Sequence, residues 1–503
     1  MAVNRGTRMF LVSGIAAALV LLAIIPYRVL EGGYLTDVSG VWAALADDVA
    51  HGVLYRPLVS ELGYGGTRYF PLHPLLHGLL VSVGIPLRPA GHLLSLASGA
   101  VMVVATAKVL KERGAPNVLA WSAGLLTLAS RTAVLALAGI RGDILPLALG
   151  VLGLALLPKD PKGSSVAAGV TFGFAVLAKP TLVWAPGGAL LALLVAKEWR
   201  AVVRLAPVTA GVVVAGLLLT HWASHGEMLA SFRACAGGGG FGLSYLTGFA
   251  RLVRPGEWTW MLGGVLLTLL RGRNGLKDPI GAASLACFAV TLLLYTSRGM
   301  HTNHLIDPTA LGALSAGAAI VEAGVRTLPR IVFAAGAVFG LADAVLLDGM
   351  VLRRGELDAA AAALPPGKDP VLSEQGWIPL LAGERAVVLD AFALVQTRKN
   401  LPVIGDELLG RLDRCAYRAV VLIGRAETAG PIWYDSVRFG PGFTEHLFAH
   451  YYFHEVAGAH AIYLPRCGLA TPPAPTGPEN TDTVLNRGGA PSRIRLLLQR
   501  LFS

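Results

Sequence analysis

Apolar residues in this chain are gathered into long runs, and most polar residues fall between the runs. The hydrocarbon core of a bilayer is ~30 Å thick, so a crossing helix needs roughly 17–25 mostly apolar residues. The first run, Phe10 to Ile25, follows Arg5 and Arg8 and continues into Pro26-Tyr27-Arg28 with no small-x-small cleavage pattern. It reads as a retained signal-anchor with its N-terminus in the cytoplasm. Further apolar segments lie near 92–110, 118–138, 144–157, 166–178, 181–196, 205–221, 258–270, 280–295, 305–321 and 331–348. With the first, these predict about 11 transmembrane helices, the pair within 166–196 being broken at Lys179-Pro180.

Cytoplasmic loops are enriched in Lys and Arg, which sets orientation. An N-in start places on that side Lys108, Lys111 and Arg113; Lys159 and Lys162; Lys197, Arg200 and Arg204; Arg271, Arg273 and Lys277; and Arg326 and Arg330. The long loops 27–91 and 222–257 then lie outside. The apolar stretch 71–87 is read as a re-entrant or interfacial helix in the first external loop. A crossing there would invert every later loop and expose the KERG cluster at 111–114.

The pattern changes after residue 350. Apolar runs at 386–390, 418–423 and 460–464 alternate with helix-like stretches at 392–397 and 405–414, a βαβ-like rhythm. The chain therefore divides into a transmembrane part, 1–350, a small extracytoplasmic α/β domain, 351–467, and a flexible linker with a short basic amphipathic tail, 468–503. The fold class is an α-helical polytopic membrane protein, N-in and C-out, multi-pass in an inner or plasma membrane.

Composition agrees. Of 503 residues, 54% are hydrophobic and 15% charged, against about 25% charged in soluble proteins, and mean hydropathy is +0.61. That excludes a water-soluble enzyme. The net charge of +11 orients helices rather than marking a nucleic-acid partner. Four cysteines form no CxxC knuckle. Cys415 and Cys467 share the external domain, where an oxidising compartment allows them to pair; Cys287 lies in an apolar helix.

Ionisable groups near membrane depth are expensive and tend to be functional. Asp37 opens an amphipathic stretch marked by Val38, Val41, Trp42, Leu45 and Val49, expected to lie on the membrane. It is either a functional carboxylate or a helix N-cap. The same two readings apply to Asp143, at the start of the fourth apolar segment beside Arg141. Lys179 interrupts an apolar run and either snorkels to the interface or faces a site. Arg298, His301, Asn303 and His304 fall in one polar external loop. Carboxylates and cations distant in sequence thus share one face of the membrane. That suits a reaction between a lipid-borne anion and a hydroxyl or amine: cations hold a phosphate and a carboxylate takes a proton. His73 with His77, and His446 with His450, have the i, i+4 spacing of a metal pair, but spacing places no third ligand. The run 237–240 is a lid or a slack loop.

These residues resemble the GT-C superfamily of polyprenyl-phosphate-sugar-dependent glycosyltransferases, which includes protein O-mannosyltransferases and aminoarabinose transferases. The likeness rests on Asp37 soon after the first helix, followed by LYRP (54–57), and on RYFPLHPLLHGLL (68–80). It rests further on Asp143, 106 positions after Asp37, and on the Lys179-Pro180 break. It covers roughly residues 1–350. The resemblance implies inverting transfer of a sugar from a polyprenyl-phosphate donor to a lipid, glycan or protein acceptor on the external face. Asp37 would be the general base and Asp143 would position the acceptor or orient a cation. Lys179, Arg141, Arg298 and His304 would bind the donor phosphate, with Tyr69, His73, His301 and Asn303 as weaker substrate contacts. Some relatives carry tandem acidic residues at the first position. Here Asp37 stands alone and Asp47-Asp48 follows ten residues later, so the identity of the base is open, with Asp37 favoured. Monophosphate-linked donors imply no metal cofactor, whereas pyrophosphate-linked donors use a divalent ion; the cations favour the first. A transporter or lipid flippase, or a non-catalytic relative, is the competing reading.

Overall fold

A computed structural model describes residues 5–31, 35–158, 165–236, 240–297, 300–323, 327–345, 355–429 and 433–469. The linker and tail at 470–503, and Arg298, lie outside the described residues.

Each predicted apolar segment falls in a helix or helix pair. They are α1 (Arg5–Glu31), α4 (Leu87–Glu112), α5 (Asn117–Leu126) with α6 (Arg131–Ala138), α7 (Ile144–Ala155), α8 (Val166–Ala178), α9 (Trp184–Ala196), α10 (Trp199–Ala223), α13 (Pro255–Leu270), α15 (Pro279–Leu294), α16 (Ile306–Ala323) and α17 (Thr327–Val345). Between them, α2 (Asp37–Ala50) and α3 (Leu72–Ser82) fill the first loop, and α11 (Glu227–Ala234), α12 (Tyr245–Leu252) and α14 (Arg273–Lys277) are short connectors. Among the described residues, five helices are long and apolar enough to cross a bilayer alone, and six if the α5–α6 pair, bent by 72°, counts as one span. Several others are shorter than a membrane is thick because they stop at built breaks. Ser130 caps α6, accepting from the amide of Ala133 at 3.2 Å, and Pro180 ends α8 by refusing a helical hydrogen bond. The stretch 71–87 yields the eleven-residue α3, also too short to span.

One ionic network ties together helix ends assigned to the cytoplasmic side. Arg113 meets Asp278 at 3.0 Å and Glu322 at 2.8 Å, and Arg271 meets Asp278 at 2.8 Å as well as Glu322. Glu322 ends α16 and Asp307 begins it, 15 residues apart, or about 23 Å at 1.5 Å per residue. The charged groups near Asp307 therefore sit at the far end of the helical bundle from this network.

Two expectations about the first loop and the α/β domain are corrected. Helix α2 does not simply lie on a membrane: nine of its residues are buried, packed between α3 and α19 (Trp377–Leu381). The domain, which also holds α18 (Glu356–Ala362), α20 (Ala391–Asn400) and α21 (Pro402–Asp413), contains a four-stranded sheet. Numbering strands after the short hairpin β1 (Val59–Ser60) and β2 (Gly63–Tyr64), its order is β3-β4-β6-β5. The strands are β3 (Val371–Ser373), β4 (Ala419–Ile423), β5 (Tyr451–Ala457) and β6 (His460–Pro465). β3 runs parallel to β4 and the other pairs are antiparallel. The run 386–390, expected as a strand, is not in this sheet. It pairs instead with the first loop: the amide of Tyr64 donates to Val387 O at 2.7 Å and that of Leu389 to Tyr64 O at 3.3 Å. Gly63 permits the approach, with φ of 113° and a Cβ position only 2.1 Å from Val387 O. Tyr64 is fully buried in the domain's own core beside Tyr417 and Leu408. The long first loop and the C-terminal domain are packed as one body.

Candidate active site

Helix α2 begins with a capping box: Thr36 N donates to Ser39 Oγ at 2.6 Å and Ser39 N to Thr36 Oγ1 at 3.4 Å. The N-cap is thus Thr36, and Asp37 is released from that structural task. Its Oδ2 accepts from Arg438 Nη2 of the C-terminal domain at 2.7 Å. Burial alone would raise the Asp37 carboxyl, but the charge and hydrogen bond of Arg438, with a smaller contribution from Arg141, hold it below its ordinary value. The pair Asp47-Asp48 behaves differently. Asp48 is 1% exposed, held by Arg56 Nε at 3.1 Å and Nη2 at 2.6 Å and by Arg385. It is a structural ion pair joining the loop to the domain.

Asp143 occupies the N-cap position of α7 but makes no capping hydrogen bond. Its Oδ1 accepts from Lys179 Nζ at 2.8 Å and from Asn303 Nδ2 at 3.1 Å. Lys179 does not snorkel. The break at Pro180 puts it in extended backbone between two helices, pointing inward to Asp143, with Asp307 also within electrostatic reach. Asp307 in turn accepts from Trp184 Nε1 at 3.2 Å. His304 lies among Lys179, Asp143 and Arg68, and the exposed His301 beside Arg141.

The turn before Asp143 is strained. Ile140 is fully buried with φ of 53°, a region β-branched residues avoid at a cost of about 1–3 kcal/mol. Next to it, Gly142 leaves room for Trp42 of α2, whose ring lies 2.5 Å from where a Cβ would be. Trp42 also contacts Tyr69 (ring centroids 4.3 Å) and His73 (4.7 Å). This contact locks the Arg141–Asp143 turn against the helix bearing Asp37. His73 and His77 are both buried, not on an exposed face, and His77 Nε2 is 2.8 Å from Leu87 O. Among the described residues, no three His, Cys, Asp or Glu side chains converge on a metal-sized position.

Sequence reasoning thus named Asp37, Tyr69, Arg141, Asp143, Lys179, His301, Asn303 and His304, and all of them gather here. It missed four. Arg68 precedes Tyr69 in the same motif; exposed, it lies over the Phe392 ring at 4.7 Å and faces Asp390. Asp307 shares the polar loop's last turn. Arg438 and Glu374 come from the C-terminal domain, where no pattern in the chain pointed to a site.

No known family model matches the chain, and no curated protein matches it by sequence. Solved structures do match its shape. One is ArnT from Cupriavidus metallidurans bound to undecaprenyl phosphate, with a TM-score of 0.57 at 15% identity over 91% of this chain and 99% of that one. Another is the oligosaccharyltransferase of Archaeoglobus fulgidus in the apo form, with a TM-score of 0.54 at 11% identity over 92% and 75% of the two chains. The chain has the GT-C fold. In this fold the charged cluster lies where the first loop, the helix ends and the C-terminal domain meet.

Proposed function

We propose that the protein is an integral-membrane glycosyltransferase that moves a sugar from a polyprenyl-phosphate donor to an acceptor at the extracytoplasmic surface, with inversion. The observation that carries this reading is the convergence of Asp37, Arg141, Asp143 and Lys179, from three distant segments, with Arg68 at the edge. The GT-C fold supports it.

In this reaction the acceptor oxygen attacks the anomeric carbon while its proton passes to Asp37. The bond from that carbon to the phosphate oxygen breaks, and the polyprenyl phosphate leaves with the electron pair. Arg68, Arg141 and Lys179 stabilise the charge it gains. Asp143 is occupied by Lys179 and Asn303, so it orients that lysine rather than accepting a proton. His304 and Tyr69 line the sugar position, with His73 supporting Tyr69 through Trp42. Arg298, in the same loop, remains a phosphate ligand in this proposal. With three cations available, the donor is a monophosphate and a divalent ion is not required.

The C-terminal domain lies outside the cytoplasm; its Cys415–Cys467 disulfide supports that placement, since such bonds persist in oxidising compartments. Replacement Asp37→Asn is expected to lower transfer by ~10²–10⁴-fold with membrane insertion intact. Donor consumption unchanged by Asp37→Asn would refute a base at this position, and vectorial lipid movement without transfer would identify a flippase.

A further inference from the structure

The C-terminal domain grips the first turn of α2 at several points. Gln375, its amide oriented to satisfy both neighbours, donates to Thr36 O and accepts from Asp37 N, each at 3.1 Å. Trp377 Nε1 donates to Ser39 Oγ at 2.9 Å. Gly40 and Gly376 are in such contact that a Cβ on Gly40 would stand 2.9 Å from Gly376 N. Arg438 reaches the same turn from the end of the π-turn Tyr434–Arg438. Its guanidinium lies over the Trp433 ring at 4.9 Å and its Nη2 engages Asp37. Its side chain is 14% exposed, and among the described residues its Nε has no hydrogen-bond partner.

A second carboxyl, Glu374, is buried behind this pair. Its Oε1 accepts from Ile423 N at 3.2 Å, while its Oε2 has no partner among the described residues. The charged and titratable groups facing Asp37 are therefore Arg438 and Glu374 from the domain, Arg141 from the α6–α7 turn, and His301 from the loop before α16.

Taking Asp37 as the base, we infer that Arg438 is a positioning residue which aims the Asp37 carboxylate and sets the pH below which transfer stops. The domain is then part of the catalytic unit, not a cover over it. A carboxylate at the start of a helix can rotate about its side-chain bonds, and a guanidinium bonded to one oxygen removes that freedom. The same charge opposes the effect of burial, so the base stays ionised through the neutral range. The orientation comes with lower basicity, because a carboxylate beside a guanidinium gives up less energy on taking a proton.

The test compares wild type, Arg438→Gln, Arg438→Lys and Asp37→Asn in proteoliposomes. Turnover is read as undecaprenyl phosphate released from synthetic undecaprenyl-phosphate-linked pentoses and hexoses. The ionisation of Asp37 is read separately by infrared titration of the carboxyl band that disappears in Asp37→Asn. Arg438→Gln should move the acid limb of kcat/KM and the infrared midpoint upward together, by roughly 1–3 pH units. Arg438→Lys should return most of that shift while leaving kcat below wild type, with KM little changed. Should Arg438→Gln fail to fold, Arg438→Lys carries the test through its lowered kcat at unshifted pH. Turnover that depends on Asp37 but shows wild-type kcat, acid limb and midpoint in the Arg438 variants overturns this inference and leaves the proposed function standing. A shifted infrared midpoint with no donor consumed by any form upholds the coupling and refutes the glycosyltransferase reading.

Discussion

Asp37 and Asp48 belong to the same fourteen-residue helix but serve different ends. Asp48 is enclosed by Arg56 and Arg385 and fixes a loop; Asp37 is half-buried at the opposite end, where side chains from three other segments meet. Their difference is one of surroundings, which is why adjacent acidic residues in the chain did not reveal which one faces the site. Glu374 illustrates the same dependence: burial pushes its carboxyl up to about 7, against the smaller opposing pull of Arg438. Lys179 and Asp143 form a buried pair whose side chains are 12% and 4% exposed. Removing one partner of such a pair strands the other charge, at about 3–5 kcal/mol. Lys179→Met is therefore expected to lower thermal stability in detergent. The double replacement Lys179→Met with Asp143→Leu should recover most of that loss while remaining inactive. Calorimetry beside a turnover assay separates the two effects, and a double variant no more stable than the single one would contradict the pairing.

At the scale of elements, the decisive contact is between α2 and the segment 373–377. Local signals made α2 legible: an apolar stripe at Val38, Val41, Trp42, Leu45 and Val49 following Asp37. Its partner was not, since the stripe says that a face is buried and not what buries it. Gly40 and Gly376 are the residues that admit the contact, each with backbone of the other inside 3.0 Å of its would-be Cβ. Replacement Gly40→Val should wedge the domain from the helix and displace Asp37 by an ångström or more, lowering transfer on the order of 10²-fold. The helical bundle should remain intact. Limited proteolysis of the domain with unchanged far-UV circular dichroism would register that outcome; full activity in Gly40→Val would show that the contact does not position the proposed base. Strand assignment failed for a related reason. The apolar run 386–390 has strand composition, yet its hydrogen-bond partner lies more than 300 residues earlier, at Tyr64, and a period along one segment carries no record of such a partner.

Across the described residues, the helical bundle carries a charged cluster at each of its two ends. Arg113, Arg271, Asp278 and Glu322 close one end, and the candidate site occupies the other. Two of the basic loops assigned to one side by counting Lys and Arg, those of Arg113 and Arg271, meet in space through Asp278 and Glu322. At the site's end, the C-terminal domain is held shut by Cys415–Cys467, 52 residues apart. A loop of that length corresponds to ~4 kcal/mol of lost unfolded-state entropy. Cys467→Ser should lower the unfolding midpoint of the domain accordingly and, because the domain carries Arg438, reduce transfer with it. Differential scanning calorimetry under reducing and non-reducing conditions checks this: a variant as stable as wild type would mean the disulfide contributes nothing to the domain's fold.

Runs of apolar residues long enough for a bilayer, and basic residues between them, establish a many-helix membrane protein by themselves, because bilayer thickness and the cost of burying charge act on local sequence. The same cost made Asp37, Asp143 and Lys179 conspicuous, for a charge in an apolar setting stands out wherever its partner is. Which of these charges meet, and that Arg438 and Glu374 join them from the C-terminal domain, was decided only by tertiary packing. Ion pairs and close backbone approaches link residues hundreds of positions apart, and pairwise distances of that kind leave no periodicity in a one-dimensional chain.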